Sequence, residues 1–136
     1  MDHIAINHLA VIVAALSDFV VGALWFSSLL FGKVWMKETG LTEEKLKKSN
    51  ALVKYGLTFI FALVITYNLA FFLGGDASMQ LSDYLLYSFL AGFGWSAMAI
   101  GILSLFEMKG WRLMLINWGY VTLAFVVKGL ILGLWR

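Results

Sequence analysis

Residues 8–30 read HLAVIVAALSDFVVGALWFSSLL, an apolar run broken in its middle only by Ser17 and Asp18. A helix crosses the hydrocarbon core of a bilayer with about 20 such residues. Ahead of the run stand Asp2, His3 and Asn7, with no Lys or Arg. A cleaved signal peptide needs a basic start, a shorter apolar region and a small-residue cleavage site. The segment is therefore read as a permanent spanning helix, and a helix that carries a carboxylate in its middle.

Working outward, the same reading gives three more spans, at about residues 53–74, 83–106 and 113–134. The whole chain, 1–136, becomes a single transmembrane domain: an all-α, up-down bundle of four helices. Of 136 residues 62% are hydrophobic and 13% charged, and the mean hydropathy is +0.88. A water-soluble chain of this size has too little polar surface to cover such a composition. Four spans leave no room for a separate soluble domain, which excludes most enzyme folds. No Ser-His-Asp set, HExxH or Gly-rich phosphate loop is present, so no catalytic residue and no enzymatic activity are expected. A net charge of +2, dispersed over both signs, does not suit nucleic acid. With no Cys there is no disulfide and no thiolate metal site. His3 and His8, even with Asp2, read as solvated terminal residues rather than metal ligands, and no second intramembrane His exists to hold a haem. The expectation is no metal and no cofactor.

Charge is concentrated in the segment 31–52 and just beyond it, where Lys33, Lys37, Lys45, Lys47, Lys48 and Lys54 stand among Glu38, Glu43 and Glu44. Gly40 suits a left-handed helix end and Thr42 suits a helix cap, so the second helix is expected to begin near Thr42, outside the bilayer. Lys109 and Arg112 lie on the same side, and only Arg136 on the other. The positive-inside rule then puts the charged segment in the cytoplasm and both termini on the non-cytoplasmic side of the plasma (inner) membrane. Trp35, Trp111 and Trp135 fall at the interfaces, as an aromatic belt requires.

Two ionisable residues remain inside spans, Asp18 and Lys128, and charges there are costly enough to be functional candidates. Counted along their helices from the charged side, Asp18 lies at about 18 Å and Lys128 and Asn68 at about 22 Å. The expectation is an intramembrane ion pair joined by the Asn68 amide. The competing reading has Lys128 snorkelling outward and Asp18 bonded to a neighbouring helix.

Trp25, Phe26, Ser27, Phe31, Gly32 and Trp35 form a compact motif at the end of the first span. The motif resembles the signature of the domain of unknown function 1761 family, small bacterial membrane proteins with four predicted spans. Ser28 stands where that family usually has Pro, and Phe26 replaces the commoner Tyr. The missing Pro leaves the amide of residue 28 free to donate. The resemblance implies a four-helix membrane fold and no established activity. Physically the motif reads first as an interface anchor and helix end. The functional alternative is a polar pocket formed with Asn117 and Tyr120.

Small residues at Ala97 and Gly101 and at Gly129 and Gly133 allow close helix contact, within the chain or in a homo-oligomer. Phe19, Gly22 and Trp25 repeat the spacing of Phe89, Gly92 and Trp95. The architecture is also similar to that of small multidrug transporters, which carry a membrane acid on the first helix and a Trp on the third, as Asp18 and Trp95 stand here. The partners expected are therefore the lipid bilayer, a second copy and a small-molecule or ion ligand. Without a motif for chemistry, a structural or accessory membrane protein is the first reading. The alternative is a homo-oligomeric channel or proton-coupled carrier that uses Asp18 and Lys128.

Overall fold

Helix α1, His8–Trp25, begins where the Asn7 side chain accepts from the Ala10 amide at 3.1 Å. It stops at Trp25, short of the expected Leu30, because the motif folds back on itself. The Phe31 amide donates to the Trp25 carbonyl at 3.1 Å and the Gly32 amide to the Ser27 carbonyl at 2.8 Å. A Cβ at Gly32 would collide with the Phe26 carbonyl oxygen and the Ser27 backbone, so no other residue fits this turn unchanged. The Ser28 amide donates none of the turn's hydrogen bonds, so the turn does not depend on it. This computed structural model describes residues 5–136; Asp2 and His3, weighed above as metal ligands, lie outside the described residues.

Beyond the turn come α2 (Gly32–Thr39), closed by Gly40 in the left-handed region, and α3 (Glu43–Lys48), capped by the Thr42 hydroxyl. The expected single helix from Thr42 into the membrane is interrupted. Ser49 is extended, and the Asn50 side chain accepts from the Val53 amide at 3.2 Å, starting α4 (Ala51–Leu73) afresh. Ser and Asn side chains compete for backbone groups in this way, which ends one helix and starts the next. The third span consists of α5 (Leu81–Phe89), a π-helical segment (Leu90–Ala97) and α6 (Met98–Phe106), and α7 runs Trp111–Leu134. All elements among the described residues are helical, and four helices, His8–Trp25, Ala51–Leu73, Leu81–Phe106 and Trp111–Leu134, are long and apolar enough to cross a membrane.

The centre of the bundle is α7, which packs on α1, α5 and the π-helical segment; α4 packs mainly on α1 and barely touches α5. Small residues are placed inside and large apolar ones outside, with Ala10, Val11, Ala14 and Ala15 fully buried and Phe72, Leu105 and Phe106 exposed. That is the distribution expected when lipid replaces water as solvent. Both described ends meet on one side, where the Asn7 side-chain amide donates to the Trp135 carbonyl at 3.0 Å.

The small-residue stripes are used within the chain. Gly129 lies against Ser88, Gly133 against Leu81 and Tyr84, Gly101 against Trp118, and Ala97 is fully buried. The contacting positions of the third span, Ser88, Gly92, Ala97 and Gly101, are spaced four, five and four apart. The five-residue step falls in the π-helical segment, whose wider turn keeps one small-residue face against α7 along the whole span. It also parts the two repeats. Gly22 and Gly92 both face α7, and Trp25 packs on Gly119, but Trp95 is turned outward and is 69% exposed.

Candidate functional site

Helices α1 and α7 run antiparallel, and helical side chains tilt toward the N-terminus of their own helix. Asp18 and Lys128 therefore lean toward each other from different levels. Lys128 Nζ lies 2.9 Å from Asp18 Oδ2, with the two side chains only 2% and 9% exposed. Lys128 does not snorkel. Its ammonium also sits 5.0 Å from the centre of the Phe125 ring, one turn earlier on α7. Because α1 ends at Trp25, Asp18 lies only about 10 Å from the helix end, nearer the charged side than the sequence count gave. The long Lys128 side chain bridges the difference.

Asn68 does not join the pair. Its side chain is exposed and donates to the Val64 carbonyl of its own helix at 2.7 Å. The carboxylate is left half satisfied: Asp18 Oδ1 is buried and has no hydrogen-bond partner among the described residues. Buried acceptors are normally paired, and each exception calls for an explanation.

A cavity of about 660 Å³ lies beside this pair with Asp18 in its wall, although Oδ1 itself is covered and meets the cavity only when the side chain turns. The cavity's inner part is formed by Asp18, Tyr120 and Thr58, its sides by Phe19, Gly22, Phe26, Trp35 and Tyr55, and its outer part by Lys54 and Lys47. These groups come from five helices, and they bring the charged segment and the intramembrane acid to one space. Phe19 packs edge-on to Tyr55 with centroids 6.1 Å apart, and Phe26 is held between Trp35 (4.9 Å) and Tyr120 (5.2 Å). The Tyr120 hydroxyl lies 3.4 Å from the Asp18 carbonyl oxygen. At the outer end the Lys54 ammonium donates to Ser49 Oγ at 3.2 Å and stands 5.1 Å from the Tyr55 ring.

The pocket expected from Asn117, Tyr120 and the serines is thus corrected. Tyr120 lines the cavity, whereas Asn117 does not, and Ser27 turns back to the Leu24 carbonyl. Phe26 and Trp35 are cavity walls; Trp25, Phe31 and Gly32 build the turn that sets them. Trp25 donates from Nε1 to the Ile116 carbonyl at 2.9 Å, tying the turn to α7, and its ring meets that of Phe31 at 4.6 Å. Trp95 is not among the cavity's lining residues; it lines a separate apolar groove of about 470 Å³ with Phe72 and Leu90. Likeness to the small multidrug transporters therefore does not extend to the placing of that Trp beside the acid. His8, for its part, exchanges a 2.9 Å hydrogen bond with the Tyr67 hydroxyl.

Sequence reasoning missed Lys54, Tyr55 and Thr58 as a set. The signal was present: three polar-tipped residues at i, i+1 and i+4 in the first turns of an otherwise apolar span. The model of a family described as "Protein of unknown function (DUF1761)" matches residues 9–133, the family that the Trp25–Trp35 motif suggested. No curated protein and no solved structure matches the chain.

Proposed function

This chain belongs to the DUF1761 family, and from that premise we propose that it is a non-enzymatic carrier of the plasma membrane, in which Asp18 exchanges a proton or small solute with the charged face. One observation carries the reading. Asp18, whose Oδ1 is buried without a hydrogen-bond partner among the described residues, stands in the wall of a cavity that reaches Lys47 and Lys54. An ion pair kept only to hold helices together gains nothing from a cavity that leads to it, and intramembrane charge is otherwise costly to retain.

At rest Lys128 holds Oδ2. A proton or donor group arriving on the carboxylate weakens its attraction for the ammonium and shifts the balance between a closed and an opened pair. By the positive-inside rule the cavity faces the cytoplasm. Toward the opposite face Val11, Ala14 and Thr66 are fully buried, so release on that side requires helix movement. The loosely packed α4 is the element free to supply it, alone or in a homo-oligomer.

The accessory reading rests on a different observation, the 2.9 Å pair that joins α1 to α7 in the interior. Proteoliposomes with a trapped pH-sensitive dye decide between the two. The carrier reading expects a proton flux that Asp18→Asn abolishes while the protein still folds. No flux from either protein rejects the carrier and leaves the accessory role.

A further inference from the structure

The order of charges along the cavity selects a ligand class. Lys47 and Lys54 stand at its outer part, aromatic rings at its sides and Asp18 at its inner part. A simple cation meets two ammonium groups before it reaches the carboxylate. A simple anion is attracted at the entrance and then finds only a carboxylate with spare lone pairs. A molecule with an amine at one end, an acid at the other and an apolar body between them matches all three zones. We infer that this cavity binds such an amphoteric solute, its ammonium on Asp18 and its acid group on Lys54 and Lys47. The inference rests on the same site as the carrier reading and names its substrate class.

The donor arithmetic agrees. Asp18 Oδ2 is taken by Lys128, and Oδ1 is covered and has no partner among the described residues, so an ammonium donor that enters the cavity reaches this spare acceptor when the Asp18 side chain turns toward it. The rings of Phe26, Tyr120 and Trp35 flank the approach, and aromatic faces attract a desolvated cation while still accepting an alkyl chain. The Lys54 ammonium is one ring away from Phe19, the neighbour of Asp18: it stands 5.1 Å from the Tyr55 ring, whose centre is 6.1 Å from that of Phe19. The Lys54 ammonium turns back to Ser49, just ahead of α4, whereas Asp18 lies two turns inside α1 from its end at Trp25, so a ligand that meets both carries its charges on an extended chain.

Equilibrium binding to the purified full-length protein, read by tryptophan fluorescence, tests this with 8-aminooctanoate, octylamine and octanoate as probes. 8-Aminooctanoate is expected to bind saturably and at least tenfold more tightly than either single-charge probe. Asp18→Asn should remove that binding. Lys47→Gln with Lys54→Gln, two exposed positions that do not threaten folding, should reduce the affinity for 8-aminooctanoate at least tenfold and leave that for octylamine unchanged or higher. Octylamine or octanoate binding as tightly as 8-aminooctanoate would overturn the inference, as would indifference to the paired lysine change or no saturable binding by any probe. An Asp18-dependent proton flux in a protein that ignores 8-aminooctanoate would reject the ligand class while the carrier reading stands. Saturable, Asp18-dependent binding without flux would do the reverse.

Discussion

Removing both members of the buried pair should be less harmful than removing one. Lys128→Met leaves the Asp18 carboxylate without its counter-charge, and Asp18→Leu leaves an ammonium 1% exposed with only the face of Phe125 beside it. Breaking a buried pair from one side costs about 3–5 kcal/mol, because the surviving charge stays desolvated. The combined Asp18→Leu/Lys128→Met variant removes both desolvation penalties and also the unsatisfied Oδ1, which by itself costs about 1–3 kcal/mol. It should be as stable as the native chain or more stable by up to about 4 kcal/mol. The cycle is thus strongly non-additive, and all three variants should lose proton flux. Unfolding in mixed detergent and SDS micelles, followed by circular dichroism, gives the stabilities. A double variant as unstable as the worse single one would refute the reasoning, since the pair would then be a net contributor to the fold.

Three further outcomes follow from the packing. Gly129→Ala drives a Cβ into Ser88 and should cost about 1–3 kcal/mol, most of it recovered when Ser88→Gly is added, as the same unfolding assay would read. Deleting Gly94, whose added Cβ would meet nothing, should convert the five-residue step into a four-residue one and leave a regular α-helix with its small-residue face intact; loss of folding on deletion would contradict the phase argument. In the loop after α4 the Ser78 hydroxyl and amide donate to Asp76 at 2.6 and 2.8 Å and hold its carboxyl below the usual carboxylate range. A lowered value means that the turn is stabilised above the unfolded carboxylate value and that this is lost as the pH falls through the folded one. Carboxyl carbon NMR should show Asp76 titrating upward in Ser78→Ala.

The spans were legible because lipid demands long apolar helices, and that demand is written in composition. Their ends were legible where a single residue decides them, as Gly40 and Thr42 do. The first span was overextended to Leu30 because Phe26, Leu29, Leu30 and Phe31 are as apolar as the helix itself; only the fold-back of the chain, which needs a residue without a Cβ at Gly32, ends it at Trp25. Asp18 and Lys128 stood out as charges without a solvated position, and their tilt along antiparallel helices brings them together. Asn68 matched Lys128 in depth along its helix but not Asp18, which lies nearer the charged side, and depth alone does not choose a helix face. The cavity escaped notice because its walls come from five helices, and Tyr55 and Thr58 are ordinary residues in any one of them. The π-helical segment was present as the four, five, four spacing of Ser88, Gly92, Ala97 and Gly101, a period that a search for regular helices passes over.

The central claim is that the space beside Asp18 is reached from the charged face. The chain contains no Cys, so Gly22→Cys, one helical turn from Asp18 in the same cavity wall, is a unique reporter; its Cβ would meet Tyr120 at an ordinary 3.5 Å. In oriented proteoliposomes a charged, membrane-impermeant thiol reagent should modify this cysteine from the side that carries residues 31–52, and 8-aminooctanoate should slow the reaction. A cysteine that is inert from that side, or reactive only from the other, would contradict the account.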